Sequence, residues 1–212
     1  MIKAILFDLD NTLIDRQKAF TEMLYKVFRS YYNDEIYIKN LVKDMIAFDN
    51  GGKIERIDAF NKLINKHNIK EFTAEKLAKD WSNESGTTVY LFDDVIDTLI
   101  KLKKKYKLAI ITNGDYVSQK RKLDNVNLYP YLDYTLISDE IGIRKPDIGI
   151  FKYALKQMNI KEDECFYVGD SYSRDIVGSI NAGIKPIYIC RNGKEHTDVT
   201  TIYNIKDLLK IL

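Results

Sequence analysis

The sequence predicts a doubly wound parallel α/β sheet that carries an inserted, smaller helical domain. From about residue 89 onward, short apolar runs alternate with amphipathic segments of helical spacing, which is the pattern of such sheets. A separate apolar run, Ala4 to Phe7, opens the chain and leads into Asp8 and Asp10; it has the character of a buried parallel strand. About four helical segments then precede the next strand, whereas one helix normally suffices for a crossover between parallel strands.

The α/β part is predicted to continue with four further strands. Each is a short apolar run: Leu108–Ile111, Tyr134–Ile137, Cys165–Val168 and Ile187–Cys190. Helices are predicted around these strands at 94–105, up to about 125, from Pro146 to Met158, at 171–182 and at 204–212. Pro146 suits the first position of its helix, and Gly183 suits a left-handed C-terminal cap.

The inserted segment is predicted to be entirely helical. Apolar residues recur at helical spacing over 16–32, 36–48, 54–67 and 73–81, and Thr73 is a favourable N-cap. We therefore assign residues 15–86 to a small helical domain, and residues 1–14 and 87–212 to the α/β core.

Composition excludes several classes of protein. The 33 basic and 31 acidic residues leave a net charge of +2, which provides no field for recruiting a nucleic acid polymer. No apolar run approaches the roughly 18 residues of a membrane span, and the N-terminus lacks the plan of a signal peptide. Cys165 and Cys190 lie in apolar runs and are expected to be buried free thiols. We expect a cytoplasmic protein, a monomer or homodimer, without a membrane partner.

Polar clusters follow four of the predicted strands. These clusters are Asp8 with Asp10, Thr112-Asn113-Gly114, Lys145, and Asp170 with Asp175. Each has an ordinary explanation on its own, as a turn, a helix cap or a surface side chain. Because the carboxyl ends of parallel strands share one edge, where open α/β sheets bind their ligands, the four together favour a functional site.

The residue types at this edge indicate the chemistry. Asp8 and Asp10 repel each other unless a cation or a proton intervenes. Carboxylates without histidine or cysteine favour a hard cation such as Mg²⁺. Backbone amides at a helix start, a hydroxyl and a lysine suit an anion such as phosphate. Metal and phosphate sites together indicate phosphoryl transfer.

With these polar clusters in this order, the sequence resembles the haloacid dehalogenase-like hydrolase superfamily. The four motifs that carry the resemblance are Asp8-Leu9-Asp10-Asn11-Thr12-Leu13, Thr112-Asn113-Gly114, Lys145-Pro146-Asp147, and Gly169-Asp170 followed by Asp175. The similarity spans about residues 4–190, and the inserted domain resembles the small helical cap of the first cap class. The stretches 138–147 and 181–183 are similar to the phosphatase and nucleotidase branches.

The resemblance implies a role for each motif residue. Asp8 would be the nucleophile that forms an aspartyl-phosphate, and Asp10 the general acid and base. Mg²⁺ would be held by Asp8, the Asp10 carbonyl and Asp170. The remaining residues would bind phosphate (Thr112, Asn113 and Lys145) or support the site (Gly114 and Asp175).

The substrate is expected to be a small phosphorylated metabolite chosen by the helical domain. The candidate contacts in that domain are Asp15, Arg16, Phe48 and Trp81. The aromatic rings could stack on a base, which favours a nucleoside monophosphate and a 5′-nucleotidase-like enzyme, or they could simply be core. Phosphoglycolate and sugar phosphates are the alternatives.

Two alternative hypotheses lie outside the phosphatases. A 2-haloacid dehalogenase uses the first aspartate alone, whereas Asp10 is present here. A non-catalytic binding or regulatory module would be expected to have lost a nucleophile or metal ligand, and the sequence retains all of them.

Overall fold

The computed structural model describes residues 1–52, 54–191 and 196–212. The chain divides into two compact units. The first comprises Met1–Asp15 and Val89–Leu212, and the second comprises Arg16–Thr88. The second unit is therefore an insertion into the first, immediately after the loop that carries Asp8 and Asp10.

The first unit is built on a parallel sheet of six strands within the described part of the chain. In chain order they are β1 (Ala4–Phe7), β2 (Lys107–Thr112), β3 (Tyr134–Ile137), β4 (Cys165–Gly169), β5 (Lys185–Ile189) and β6 (Thr201–Ile202). Their spatial order is β3-β2-β1-β4-β5-β6, and every pair is parallel. The order reverses between β1 and β4, which makes this the topological switch point where such sheets bind ligands.

Alternation along β1 shows how the sheet separates two cores. Ile5 and Phe7 pack into the apolar cluster on one face, and Ala4 and Leu6 pack into the cluster on the other. All four residues are fully buried. Successive strand residues point to opposite faces, so a strand covered on both sides must be apolar throughout, as the sequence of β1 is.

The helices of the first unit differ from the prediction at several ends. They are α5 (Val95–Leu102), α6 (Tyr116–Asn125), α7 (Ile148–Met158), α8 (Val177–Asn181) and α9 (Leu208–Ile211). The prediction of Pro146 as a first helical residue is wrong, because α7 begins at Ile148 and Asp147 is its N-cap, accepting from the Gly149 amide at 2.7 Å. The helix predicted over 171–182 begins as a π-helical turn, Tyr172–Ile176. The strand β6 was not predicted.

In its described residues, 16–52 and 54–88, the second unit has four helices around its own apolar core. They are α1 (Arg16–Arg29), α2 (Glu35–Asp49), α3 (Arg56–His67) and α4 (Ala74–Glu84). Asp34 caps α2 by accepting from the Ile36 and Tyr37 amides, and Thr73 caps α4 as predicted, by accepting from the Lys76 amide. The described helices include none that is both long and apolar enough to cross a membrane.

Two chain segments of the first unit pair where the second unit departs and returns. The Asp15 amide donates to the Tyr90 carbonyl at 2.7 Å, and the Phe92 amide donates to the Leu13 carbonyl at 3.1 Å. Ile14 and Leu91 form an antiparallel bridge. The first unit thus closes its own backbone around the insertion point.

Candidate active site

Three aspartates meet at the carboxyl ends of the two central strands. Asp8 follows β1 and Asp170 follows β4. Asp175 lies in the π-helical turn. One carboxylate oxygen from each residue lies within 4.8 Å of the others. These are the two predicted metal-binding carboxylates and one predicted supporting residue, and the switch point of the sheet brings them together.

Lys145 supplies the positive charge within this cluster. Its ammonium nitrogen lies 2.6 Å from Asp8 Oδ1 and 2.7 Å from Asp175 Oδ1, and the side chain is almost completely buried. Burial opposes the charged form of Lys145, but the two carboxylates outweigh it and raise the pKa of the ammonium. A lysine held in this way is a permanent cation beside the nucleophile candidate.

Tyr167 on β4 contacts this lysine and fixes its orientation. Its hydroxyl accepts from Lys145 Nζ at 2.7 Å and donates to the Ile111 carbonyl at 3.0 Å. The ring is fully buried and packs edge-on against Phe151 at 5.1 Å between centroids. Burial, followed by the charges of Asp175 and Asp8, raises the pKa of Tyr167 well above its usual value, so the hydroxyl keeps its proton.

Gly169 makes room for Asp175. A β-carbon at this position would lie 2.5 Å from both Cβ and Cγ of Asp175, closer than any real contact. The Asp175 carboxylate accepts from the Ser171 amide at 2.9 Å through its second oxygen. Both carboxylate oxygens of Asp175 are therefore bound within the protein, one by Lys145 and the other by a backbone amide.

The pKa values of the other two carboxylates, Asp8 and Asp170, are both raised. Burial raises the pKa of Asp8 to about 6, opposed by Lys145 and assisted by the charges of Asp175 and Asp10. Burial and the charges of Asp8 and Asp175 raise the pKa of Asp170 well above its ordinary value. In both groups burial and neighbouring carboxylates outweigh the nearby positive charges, and a bound cation would favour the ionised form of each carboxylate.

Asp10 lies outside this cluster and has its own partners on α6. Lys122 Nζ lies 2.8 Å from both carboxylate oxygens, and Gln119 Nε2 lies 3.1 Å from Oδ2. Although Asp8 and Asp10 are two residues apart, each carboxylate is thus paired with a different lysine. Separate partners lessen the repulsion between the two carboxylates, although the charge of Asp10 still helps to raise the pKa of Asp8.

The loop after β2 contains the predicted phosphate-binding residues. Thr112 is buried, and its hydroxyl accepts from Gln119 Nε2 at 2.6 Å. The Asn113 side chain accepts from the Lys145 amide and donates to the Lys145 carbonyl, both at 2.9 Å. Gly114 donates its amide to Ser138 Oγ at 3.1 Å. Asn113 thereby fixes the backbone that carries Lys145, which the sequence did not indicate.

Arg191, after β5, holds the loop that follows Asp10. Its guanidinium donates to the Thr12 carbonyl at 3.0 Å and to Asp94 Oδ1 at 3.2 Å. The same group lies 3.8 Å from the centroid of the Phe92 ring. This contact ties the first motif to the opposite side of the insertion point within the first unit.

A family model described as haloacid dehalogenase-like hydrolase matches residues 5–189. The chain belongs to this family. The match covers all four motifs, from Asp8 to Asp175, and therefore confirms the resemblance on which the motif roles were based.

Individual relatives match this chain over most of their length. A glyceraldehyde 3-phosphate phosphatase of Methanocaldococcus jannaschii is 31% identical, covering 100% of this chain and 97% of the relative. The N-acylneuraminate-9-phosphatase of Homo sapiens is 28% identical, with 91% and 84% coverage. The HAD-hydrolase YfnB of Bacillus subtilis, solved bound to magnesium, has a TM-score of 0.85 at 22% identity, with 100% and 98% coverage; it shows the shared fold.

The candidates for substrate contact are spread over both units. Asp15 belongs to the first unit. Phe48 and Trp81 are half-buried and pack against the core of the second unit. The Trp81 ring contacts Phe20 edge-on at 5.1 Å. The aromatic candidates therefore serve the packing of their own unit.

Arg16 belongs to a charged cluster in the second unit. Arg16 and Arg56 both bind the buried carboxylate of Asp49, at 2.9 and 2.5 Å. Both guanidinium groups also lie over the Phe20 ring, at 5.0 and 4.8 Å from its centroid. Two cations share one anion, so the cluster carries a surplus positive charge.

Sequence reasoning missed the residues that hold the motif side chains in place. The residues that contact the motifs are Gln119, Lys122, Tyr167 and Arg191, and sequence reasoning also missed Asp49 and Arg56, which surround Arg16 in the second unit. Gln119 and Lys122 are three apart on α6 and therefore share a helix face, a signal visible in the sequence. Tyr167 is the only residue with a side-chain hydroxyl in the apolar run of β4, which is the corresponding signal for that position.

Proposed function

We propose that this protein is a Mg²⁺-dependent phosphatase that hydrolyses a small phosphomonoester through an aspartyl-phosphate on Asp8. The second unit is proposed as its cap, and the cytoplasm as its location. The observation that carries the proposal is the division of the two aspartates: Asp8 lies with Lys145 in the buried cluster, and Asp10 lies apart with Lys122. Relatives named as phosphatases of small metabolites support it.

The chemistry needs two proton-transfer events at Asp10. In the first step an oxygen of Asp8 attacks phosphorus, the bond from phosphorus to the leaving oxygen breaks, and Asp10 gives its proton to that oxygen. In the second step Asp10, now a carboxylate, takes a proton from water as the water oxygen attacks phosphorus. The bond from phosphorus to Asp8 breaks, and inorganic phosphate leaves. Thr112, Asn113 and Lys145 bind the phosphoryl oxygens throughout.

Asp8, Asp170 and the carbonyl of Asp10 are the proposed ligands of Mg²⁺. The donor set fits this ion, because carboxylate oxygens with raised pKa values lie together and no histidine or cysteine takes part in the described cluster. Asp175 is already bound to Lys145 and is proposed as an anchor. When bound, the metal neutralises charge on the phosphoryl group.

Turnover of p-nitrophenyl phosphate with Mg²⁺ tests the proposal. Asp8→Asn preserves the shape of the side chain but removes the nucleophile, so we expect a loss of kcat on the order of 10³-fold or more. Acid-quenched native enzyme is expected to contain an acyl phosphate on Asp8 that hydroxylamine releases. Removal of Mg²⁺ with EDTA should also abolish turnover, and re-addition should restore it. Undiminished turnover by Asp8→Asn would refute the nucleophile assignment.

The surplus charge of the second unit favours a substrate with a further anionic group. Among the hydrogen bonds between described residues, Arg16 and Arg56 use only some of their guanidinium donors on Asp49, and a planar guanidinium matches a carboxylate. This observation supports phosphoglycolate or another carboxylated ester over a nucleoside monophosphate, since the aromatic candidates are occupied in packing.

A panel of nucleoside monophosphates, sugar phosphates and phosphoglycolate separates these classes. We expect the highest kcat/KM for carboxylated esters, and Arg56→Gln should raise their KM about tenfold, as loss of one charged contact costs about 1.4 kcal/mol or more. The KM for p-nitrophenyl phosphate serves as the internal control. Equal effects on both esters would contradict a role in recognising the second anion.

A further inference from the structure

Two side chains of α6 converge on Asp10 from the same face of the helix. Lys122 places its ammonium 2.8 Å from both oxygens of the carboxylate, and Gln119 places its amide nitrogen 3.1 Å from one of them. The ion pair is largely shielded from solvent, with Lys122 17% and Asp10 20% exposed at their side chains. Such a charge-assisted, bidentate contact fixes the direction of a carboxylate far better than a surface pair does.

Gln119 also connects Asp10 to the proposed phosphate-binding loop. Its amide nitrogen lies 2.6 Å from Thr112 Oγ1 and 3.3 Å from the Asn113 carbonyl, in addition to its contact with Asp10. An amide nitrogen has two protons for these three acceptors. A change in hydrogen bonding at Thr112, such as binding of a phosphoryl oxygen, therefore redistributes the bonds that reach Asp10.

The two lysines of the site have different tasks. Lys145 is bound to Asp8 and Asp175 inside the buried cluster. Among the ion pairs of the described residues, Lys122 is paired with Asp10 and with neither Asp8 nor Asp175. Lys145 thus serves the residue that accepts the phosphoryl group, and Lys122 serves the residue that moves the proton.

We propose that Lys122, together with Gln119, is a positioning residue for the proton transfers of Asp10. The inference rests on the proposed function and deepens it. Lys122 holds the Asp10 carboxyl group in one orientation in both steps, first as Asp10 donates its proton to the leaving oxygen and then as it accepts a proton from water. Gln119 links that orientation to occupancy of Thr112.

Leaving groups that differ in their need for a proton provide the test. An alkyl alcohol leaves only with a proton from Asp10, whereas p-nitrophenolate is stable without one. For Lys122→Met we expect kcat/KM to fall on the order of a hundredfold with the best alkyl phosphate of the panel above. With p-nitrophenyl phosphate we expect kcat/KM to change less than about threefold, because that step needs no acid.

The second half-reaction gives an independent readout in the same variant. Hydrolysis of the aspartyl-phosphate needs Asp10 as a base whichever ester was used. Lys122→Met should therefore release a rapid burst of p-nitrophenolate, followed by slow turnover. If Lys122 served folding alone, Lys122→Met would lower kcat/KM for both esters in parallel and would produce no burst.

Three further variants make the result decisive. Lys120→Met removes a lysine of the same helix that is paired with Asp124 in an exposed contact. This variant should leave kcat/KM unchanged for both esters. Lys122→Arg keeps the cation and should keep most of the activity toward the alkyl ester. Such a rescue would show that the loss in Lys122→Met comes from the missing charge and not from misfolding. Lys122→Met in an Asp10→Asn background should have little further effect, because the two residues act as one unit.

Asp10→Asn separates failure of this inference from failure of the proposed function. If Asp10→Asn lowers kcat/KM equally for the alkyl ester and for p-nitrophenyl phosphate, the acid role of Asp10 is wrong, and so is the role of Lys122. If Asp10→Asn discriminates and Lys122→Met does not, only the role of Lys122 is overturned. Discrimination by both, with a burst in Lys122→Met, supports the inference.

Discussion

The crowding at Gly169 allows a sharp test of how the buried cluster works. The prediction concerns Gly169→Ala, which adds a single methyl group. No left-handed backbone conformation is recorded for Gly169, so alanine is compatible with the backbone, and loss of glycine alone would stabilise the protein by about 0.4–1 kcal/mol. The expected outcome has the opposite sign, because the new Cβ would lie 2.5 Å from Cβ and Cγ of Asp175.

The geometry sets the magnitude. Carbon atoms pack at about 3.5–4.0 Å, so relief of the contact requires Asp175 to move by about 1 Å. A movement of that size lengthens the 2.7 Å contact with Lys145 and the 2.9 Å bond from the Ser171 amide beyond hydrogen-bonding range. We expect a loss of stability of about 1–3 kcal/mol, and a fall in kcat on the order of a hundredfold as Lys145 loses its anchor.

Urea unfolding and turnover of p-nitrophenyl phosphate measure the two effects separately. Gly183→Ala is the matched control. It forces alanine into a left-handed conformation at φ +83° after α8 and should cost about 1–2 kcal/mol without affecting kcat. Native-like stability and kcat in Gly169→Ala would refute the assignment of Asp175 as a rigid anchor.

Three further predictions concern the contacts around and beyond the cluster. Tyr167→Phe removes the hydroxyl between Lys145 and the Ile111 carbonyl and should lower the free energy of unfolding by about 1–3 kcal/mol; an unchanged urea midpoint would contradict this. Asp49→Asn leaves two arginines of the second unit without their shared carboxylate and should cost about 3 kcal/mol, measured by thermal unfolding, where an unchanged Tm would count against it. Burial raises the pKa of Cys165 to about 12, so the thiol is protonated at pH 8 and iodoacetamide should modify it only after unfolding; rapid labelling of the native protein would disprove the assignment.

The sequence was sufficient to predict where the motif side chains lie. Asp8 and Asp170 follow buried strands, and Thr112 ends one. Parallel strands deliver such residues to one edge whatever their spatial order, so the prediction did not require the topology. Apolar continuity of β1 identified the strand because a strand covered on both faces has no polar positions.

The environment of each side chain was beyond the same reasoning. Which face of α6 meets Asp10 depends on the placement of the helix against the sheet, so the contacts of Gln119 and Lys122 were not deduced. Pro146 satisfied a general preference for helix starts, but Asp147 provides the cap and moves the start to Ile148. The strand β6 has two residues, too few for any periodic signal.

The paired backbone at the insertion point has a consequence for how this chain could have been assembled. The Asp15 amide and the Tyr90 carbonyl are hydrogen-bonded at 2.7 Å, so the first unit would need only a short peptide to join its two segments if residues 16–88 were absent. The sheet, its two cores and the aspartate cluster all lie outside that excisable stretch. Residues 16–88 could therefore be replaced by another segment without altering the sheet, its two cores or the aspartate cluster.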